Sequence, residues 1–210
     1  GDLIRKLDAE IRLRLPRDAQ RRVVVVAERD SLYAQSLVAE LKHRLGQGES
    51  NQLSLEVVYF FRGIDGVTSR ESVVAPTPNK AAATLEWPES RDQLDYLRRL
   101  GAELKRSETH SELPPIGAIG IFANDVHDKL LVLQALHEDF SDKMFFTTDM
   151  DARYLHPRTQ AFTRNLVVAS SLPLAFYPPP SSKGEGAVNL QAGTPPLRDI
   201  YQTSTYAAAR

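Results

Sequence analysis

Apolar positions along this chain follow two rhythms that alternate. Leu3, Leu7, Ile11 and Leu15 stand four apart, a spacing that gathers side chains into one stripe of an amphipathic helix. Pro16 closes that pattern, because proline cannot donate the next helical hydrogen bond. The run Val23 to Ala27 then shows no polar alternation at all. A short β-branched run of that kind fits a strand covered on both faces, as in the middle of a parallel sheet. After Ser31 the helical rhythm returns, with Tyr33, Leu37, Leu41 and Leu45 on one side and Gly46 and Gly48 as its stop.

The same exchange repeats to the end of the chain. Leu53 to Phe61 predicts a second strand, and Leu94, Leu97, Leu100 and Leu104 a second core helix. Ser90 with Gln93 three residues on makes a capping box for that helix. Ile116 to Phe122 predicts the third strand, followed by a helix capped by Asp125 and carrying Val126, Leu130, Leu133 and Leu136. Lys143 to Thr148 and Asn165 to Ser170 predict strands four and five. Thr194 and Pro195 predict the opening of a last helix, with Leu197, Ile200 and Tyr201 turned inward.

Five such alternations require parallel strands and right-handed crossovers. The expected fold is α/β: a doubly wound, five-stranded sheet of order 2-1-3-4-5, helices on both faces, and an extra N-terminal helix. Residues 1–210 read as one domain, with residues 1–16 as that helix and 22–210 as the core. Residues 62–89 and 171–193 are far longer than the roughly two to six residues usual for such connections. Both leave the carboxyl edge of the sheet, where ligands bind in this architecture. They fit surface insertions and equally well a lid or docking surface.

Composition narrows the partners. A net charge of −1 supplies no general basic field, so no nucleic-acid partner is expected. The chain has no cysteine, which removes disulfides, thiolate catalysis and cysteine metal sites. No apolar run approaches the roughly 18 residues of a membrane span, so no membrane insertion by this segment is expected. The first residue is not methionine, and the last helical pattern is still running at STYAAAR. We therefore expect a fragment of a larger protein, and no targeting segment is visible within it. Arg21 and Arg22, at the edge opposite the crevice, read as solvated charge.

Polar candidates collect where the strands stop. They include Glu28, Arg29, Asp30, Ser31 and Tyr33 after strand one, and Arg62, Gly63 and Asp65 after strand two. Asn124, Asp125, His127 and Asp128 follow strand three, Thr147, Thr148, Asp149, Asp151 and Arg153 strand four, and Ser170 and Ser171 strand five. The first turn, AERDSLYA, has no glycine and two acids, which would repel phosphate and excludes a nucleotide loop. A phosphoacceptor receiver shares the strand order and several acids, but needs a lysine after strand five, where this chain reads SSLP.

The histidines, His43, His110, His127, His137 and His156, form no pair with helical metal spacing, and no serine sits in a G-x-S-x-G turn. Glu28, Asp149 and Asp151 are the candidate ligands for Mg²⁺ in a hydrolase or nuclease-like site, since D-x-D on one strand end points both carboxylates the same way. Asp151 also suits a helix N-cap. Tyr33 reads equally as core and as ligand contact, being on the stripe with Leu37.

The segment RRVVVVAERDSLYAQSLVAELKHRL resembles the start of the second lobe in type I periplasmic-binding-protein-like domains, the branched-chain amino-acid receptor and natriuretic-receptor ligand-binding group. LEVVYFF, PPIGAIGIFANDVHDKLLVLQAL, KMFFTTD, NLVVASS and PPLRDIYQTSTYAAA are similar to that group's later strands and closing helix. Ala34 stands where the group has a glycine. The resemblance implies non-enzymatic capture or sensing of a small polar ligand at the carboxyl edge, in an extracytoplasmic setting. It puts Tyr33 at the group's tyrosine position and Asn124, Asp125, Thr148 and Asp149 at cleft-facing strand ends. With the strand-end residues Glu28, Ser31 and Ser170, these form the expected ligand-binding set. No cofactor is expected. One lobe alone would give half a binding site, so a pure protein-interaction module using Trp87 or Pro178 to Pro180, or a homo-oligomer, stands beside the ligand-binding reading.

Overall fold

The computed structural model describes residues 2–16, 19–46, 53–62, 93–110, 112–176 and 195–209. Helix α1 (Asp2–Arg14) leads into strand β1 (Arg21–Glu28), helix α2 (Leu32–Gly46) and strand β2 (Leu53–Phe60). Helix α3 (Gln93–His110), strand β3 (Ile116–Phe122), helix α4 (Val126–His137) and strand β4 (Met144–Thr148) follow. A 3-10 helix (Ala152–Leu155), the short α5 (Gln160–Thr163), strand β5 (Val167–Ala169) and α6 (Ile200–Ala208) complete the described elements. The sheet is wholly parallel, in the order β2-β1-β3-β4-β5.

The unbroken valine run follows from this geometry. Val23, Val25 and Ala27 face α1 and α2, whereas Val24 and Val26 face α3 and α4. Both faces of β1 are therefore core. Each of the four buried valines contributes roughly 1.5–3 kcal/mol of apolar burial. In β3, Gly120 leaves room for the Phe146 ring of β4, which lies 2.4 Å from where a Cβ would stand. Phe146 in turn meets Phe122 edge-on at 6.0 Å between centroids. The N-terminal helix buries Ile4, Leu7, Ile11 and Leu15 beside α2 and β5.

Register brings the strand ends to one rim. Glu28 pairs with Phe60, Ala27 with Phe122, Ile121 with Thr147, and Thr148 with Ala169. Among the described residues, no helix is long and apolar enough to cross a membrane.

Several expectations change. Arg22 is not solvated: it is 1% exposed, donates to Glu56 Oε2 at 2.7 Å and contacts Ser107 Oγ at 3.2 Å. Helix α3 closes over this end of the sheet and excludes water, which the local sequence does not show. Strand β5 is shorter than its apolar run. The last helix opens at Ile200, where Asp199 accepts from Gln202 N at 2.8 Å, and not at Pro195. That later start turns Tyr201 outward, 76% exposed, and leaves Leu197 and Ile200 half-buried. Ser90 of the expected capping box, Trp87, Pro178 to Pro180 and most of both long connections lie outside the described residues. Gln93 itself is buried and donates to Phe61 O at 2.7 Å.

Candidate functional site

Strand β4 ends in a backbone reversal that builds the site. Thr147 and Thr148 are buried, and the next residue, Asp149, has φ 65°. Aspartate tolerates this left-handed conformation better than most non-glycine residues. The reversal is held by Asp149 N donating to Ala169 O at 2.9 Å and Met150 N to Ser170 Oγ at 3.2 Å. It folds the Asp149 carboxylate back over its own strand end.

Oxygen Oδ2 of Asp149 then meets three donors. The Tyr33 hydroxyl lies 2.5 Å away, the Thr148 hydroxyl 3.0 Å and the Lys129 ammonium 3.5 Å. Lys129 reaches in from α4 and also donates to Thr148 O at 2.9 Å. Among the described residues, Oδ1 has no hydrogen-bond partner. Burial lowers the Lys129 pKa, with Asp149 opposing it as the nearest anion. Burial raises the Tyr33 pKa, and the bond to Asp149 adds to the rise.

Tyr33, Lys129 and Asp149 form the floor of a cleft of about 460 Å³ at the carboxyl rim, walled by Arg62, Asn124, Arg153 and Tyr201. Arg62 pairs with Asp125 at 2.9 Å and with Asp128 at 3.0 Å. Arg153 forms a fork to Asp151 through Nε and Nη2, both at 3.0 Å. Among the described residues, the Nη1 groups of both arginines have no protein acceptor. Asp128 is buried, and that burial pushes its carboxyl up to about 6 against the opposing pull of Arg62.

The sequence-derived residues divide. Tyr33, Asn124, Asp125 and Asp149 line the cleft, with Thr148 directly beneath. Three others are held in local structure. Glu28 accepts from Asn124 N at 2.8 Å, and Ser31 caps α2 by accepting from Ala34 N at 3.1 Å. Ser170 lines a separate groove between α1 and β5. Asp125 doubles as the α4 cap, accepting from His127 N at 2.8 Å.

The D-x-D pair also divides. The positive φ of Asp149 breaks the strand alternation, so the two carboxylates serve different partners. Asp149 meets Tyr33, Thr148 and Lys129, whereas Asp151 caps the 3-10 helix by accepting from Arg153 N at 2.8 Å. With Glu28 taken up by a backbone amide, the alternative Mg²⁺ triad of Glu28, Asp149 and Asp151 does not converge. Among the described residues no three acidic or histidine side chains do.

Lys129 escaped the sequence reading. Its signal was present, because it falls four residues before Leu133 on the inward face of α4. A charge on an apolar stripe marks a buried polar contact. Searches of protein-family models, curated proteins and solved structures return no match to this chain.

Proposed function

We propose that this is a non-enzymatic binding or sensing domain, resembling one lobe of a type I periplasmic-binding-like receptor. It takes a small polar ligand at the carboxyl rim. The observation that carries this reading is the convergence of Tyr33, Thr148 and Lys129 on one oxygen of Asp149 at the cleft floor. Three donors on Oδ2 hold the carboxylate in place and present Oδ1 as an acceptor, while Arg62 and Arg153 offer donors from the walls. A few fixed polar groups in a concavity of this size are what small-ligand sites require.

The test is thermal unfolding against a library of amino acids, amines, sugars and organic acids. A true ligand at 100 times its Kd adds about 2.7 kcal/mol of stability. Tyr33→Phe and Asp149→Asn are each expected to weaken that ligand roughly tenfold or more, the value of a hydrogen bond to a charged group. No midpoint shift across the library, or a shift in both variants as large as in wild type, removes this reading.

A protein partner at the same rim is the second reading. It is favoured by exposed Leu32, Phe61, Leu155 and Tyr201, which all lie beyond carboxyl strand ends or at the cleft mouth. That reading expects no small-molecule shift.

A further inference from the structure

We infer that Lys129 captures a small carbonyl compound, an aldehyde or 2-oxo acid, as a reversible imine at the floor of this cleft. The inference rests on the ligand-binding reading above and names the chemical class of the ligand.

Lys129 combines burial with access. Its side chain is 3% exposed, yet it lines the cleft. A purely structural tether would spend the ammonium on short, complete bonds. Here Thr148 O takes one N–H at 2.9 Å, and Asp149 Oδ2 stands off at 3.5 Å. The short bond to that oxygen, 2.5 Å, comes from Tyr33 instead. Among the described residues the third N–H has no acceptor. The amine is therefore positioned but not locked, and burial favours its neutral, nucleophilic form.

The surrounding groups match the proton traffic of imine formation. Lys129 first passes a proton to Asp149. The neutral amine adds to the carbonyl carbon, forming a C–N bond, and the carbonyl π electrons move to oxygen. A proton then moves from nitrogen to the alkoxide oxygen through Asp149 and Tyr33. The proton that Asp149 took from Lys129 goes to the carbinolamine hydroxyl, which leaves as water while the nitrogen lone pair forms C=N. Asp149 thereby returns to its carboxylate. The net change is ammonium plus carbonyl to iminium plus water, with no oxidant or reductant. A carboxylate on the captured molecule fits the unused Nη1 donors of Arg62 and Arg153.

The experiment incubates the 210-residue chain with glyoxylate and cyanoborohydride at mildly alkaline pH, where hydride converts an imine to a stable secondary amine. Peptide mass mapping then compares Lys129 with the more exposed Lys105 and Lys143. Labelling of Lys129 is expected to be about tenfold or more faster than at either, and to fall by a similar factor in Asp149→Asn, whose fold is checked by circular dichroism. Labelling of Lys129 no faster than the other two overturns the inference. A glyoxylate-induced rise in thermal midpoint, reduced in Tyr33→Phe but without a Lys129 adduct, overturns imine formation and leaves the ligand-binding reading standing. Neither shift nor adduct overturns carbonyl capture, while the wider compound library decides the cleft reading separately.

Discussion

Asp128 and Lys129 are adjacent on α4, both buried, and they titrate in opposite senses: burial raises the carboxyl and lowers the ammonium. The folded pKa of Asp128, about 6, lies above its ordinary value of 3.8. Between those values the folded chain binds the proton more tightly than the unfolded chain. Stability from this group is full below about pH 4 and is lost as pH rises through about 6. Denaturant midpoints from pH 4 to 7 should show wild type losing about 1–3 kcal/mol relative to Asp128→Asn across that window. A constant difference between the two would remove the argument. Asp149 was legible because an acid after an apolar strand stands at a rim. Lys129 was marked as buried by its place on the apolar stripe, but its partner was hidden, twenty residues away and past a turn whose left-handed φ no local pattern announces.

At the scale of elements, periodicity identified the five strands, because β-branched runs covered on both faces have no competing helical period. It misjudged Arg22, which flanks the run and has the appearance of an exposed charge. Its burial arises only when α3 packs over β1 and β2 and supplies Ser107 beside Glu56. Arg22→Ala should cost about 2–3 kcal/mol in urea unfolding. That lies at or below the low end for a broken buried pair, because Glu56 keeps partial access to water. Arg22→Met together with Glu56→Gln should recover most of the loss, since replacing both charges with neutral side chains removes most of the desolvation cost. If the double variant is as unstable as the single, the ion pair stabilises the fold outright and the account based on an uncompensated charge is wrong.

Across the whole molecule, the cleft depends on a segment that adds little to the core. Helix α6 buries only Thr203 among its described residues. The segment is fastened at its start by Ala152 N donating to Arg198 O at 2.7 Å and by the bridge between Asp151 and Asp199. Phe176 stacks on Tyr206 further along, with ring centroids 6.3 Å apart. Ending the chain before Pro195 should leave the circular-dichroism signature of the sheet and helices intact and lower the midpoint by about 2–4 °C, a change of about 1 kcal/mol in a chain of this size. The same truncation should abolish ligand-induced stabilisation, because Asp199, Ile200 and Tyr201 form one wall of the cleft. Retained ligand response in the truncated chain would place the binding site elsewhere.

The sequence by itself determined the type and order of the elements and, through their strict alternation, a parallel sheet with its polar ends along one edge. These follow from hydrophobic period and crossover geometry, which are local properties of the chain. Only the tertiary structure decided which of those polar ends meet. Tyr33 from α2, Lys129 from α4 and Asp149 beyond β4 converge through strand register and one left-handed turn. Glu28, Ser31 and Ser170, alike in pattern, were drawn into backbone hydrogen bonds instead. A side chain's function here is set by the groups that folding carries to it, and those lie tens of residues away in the chain.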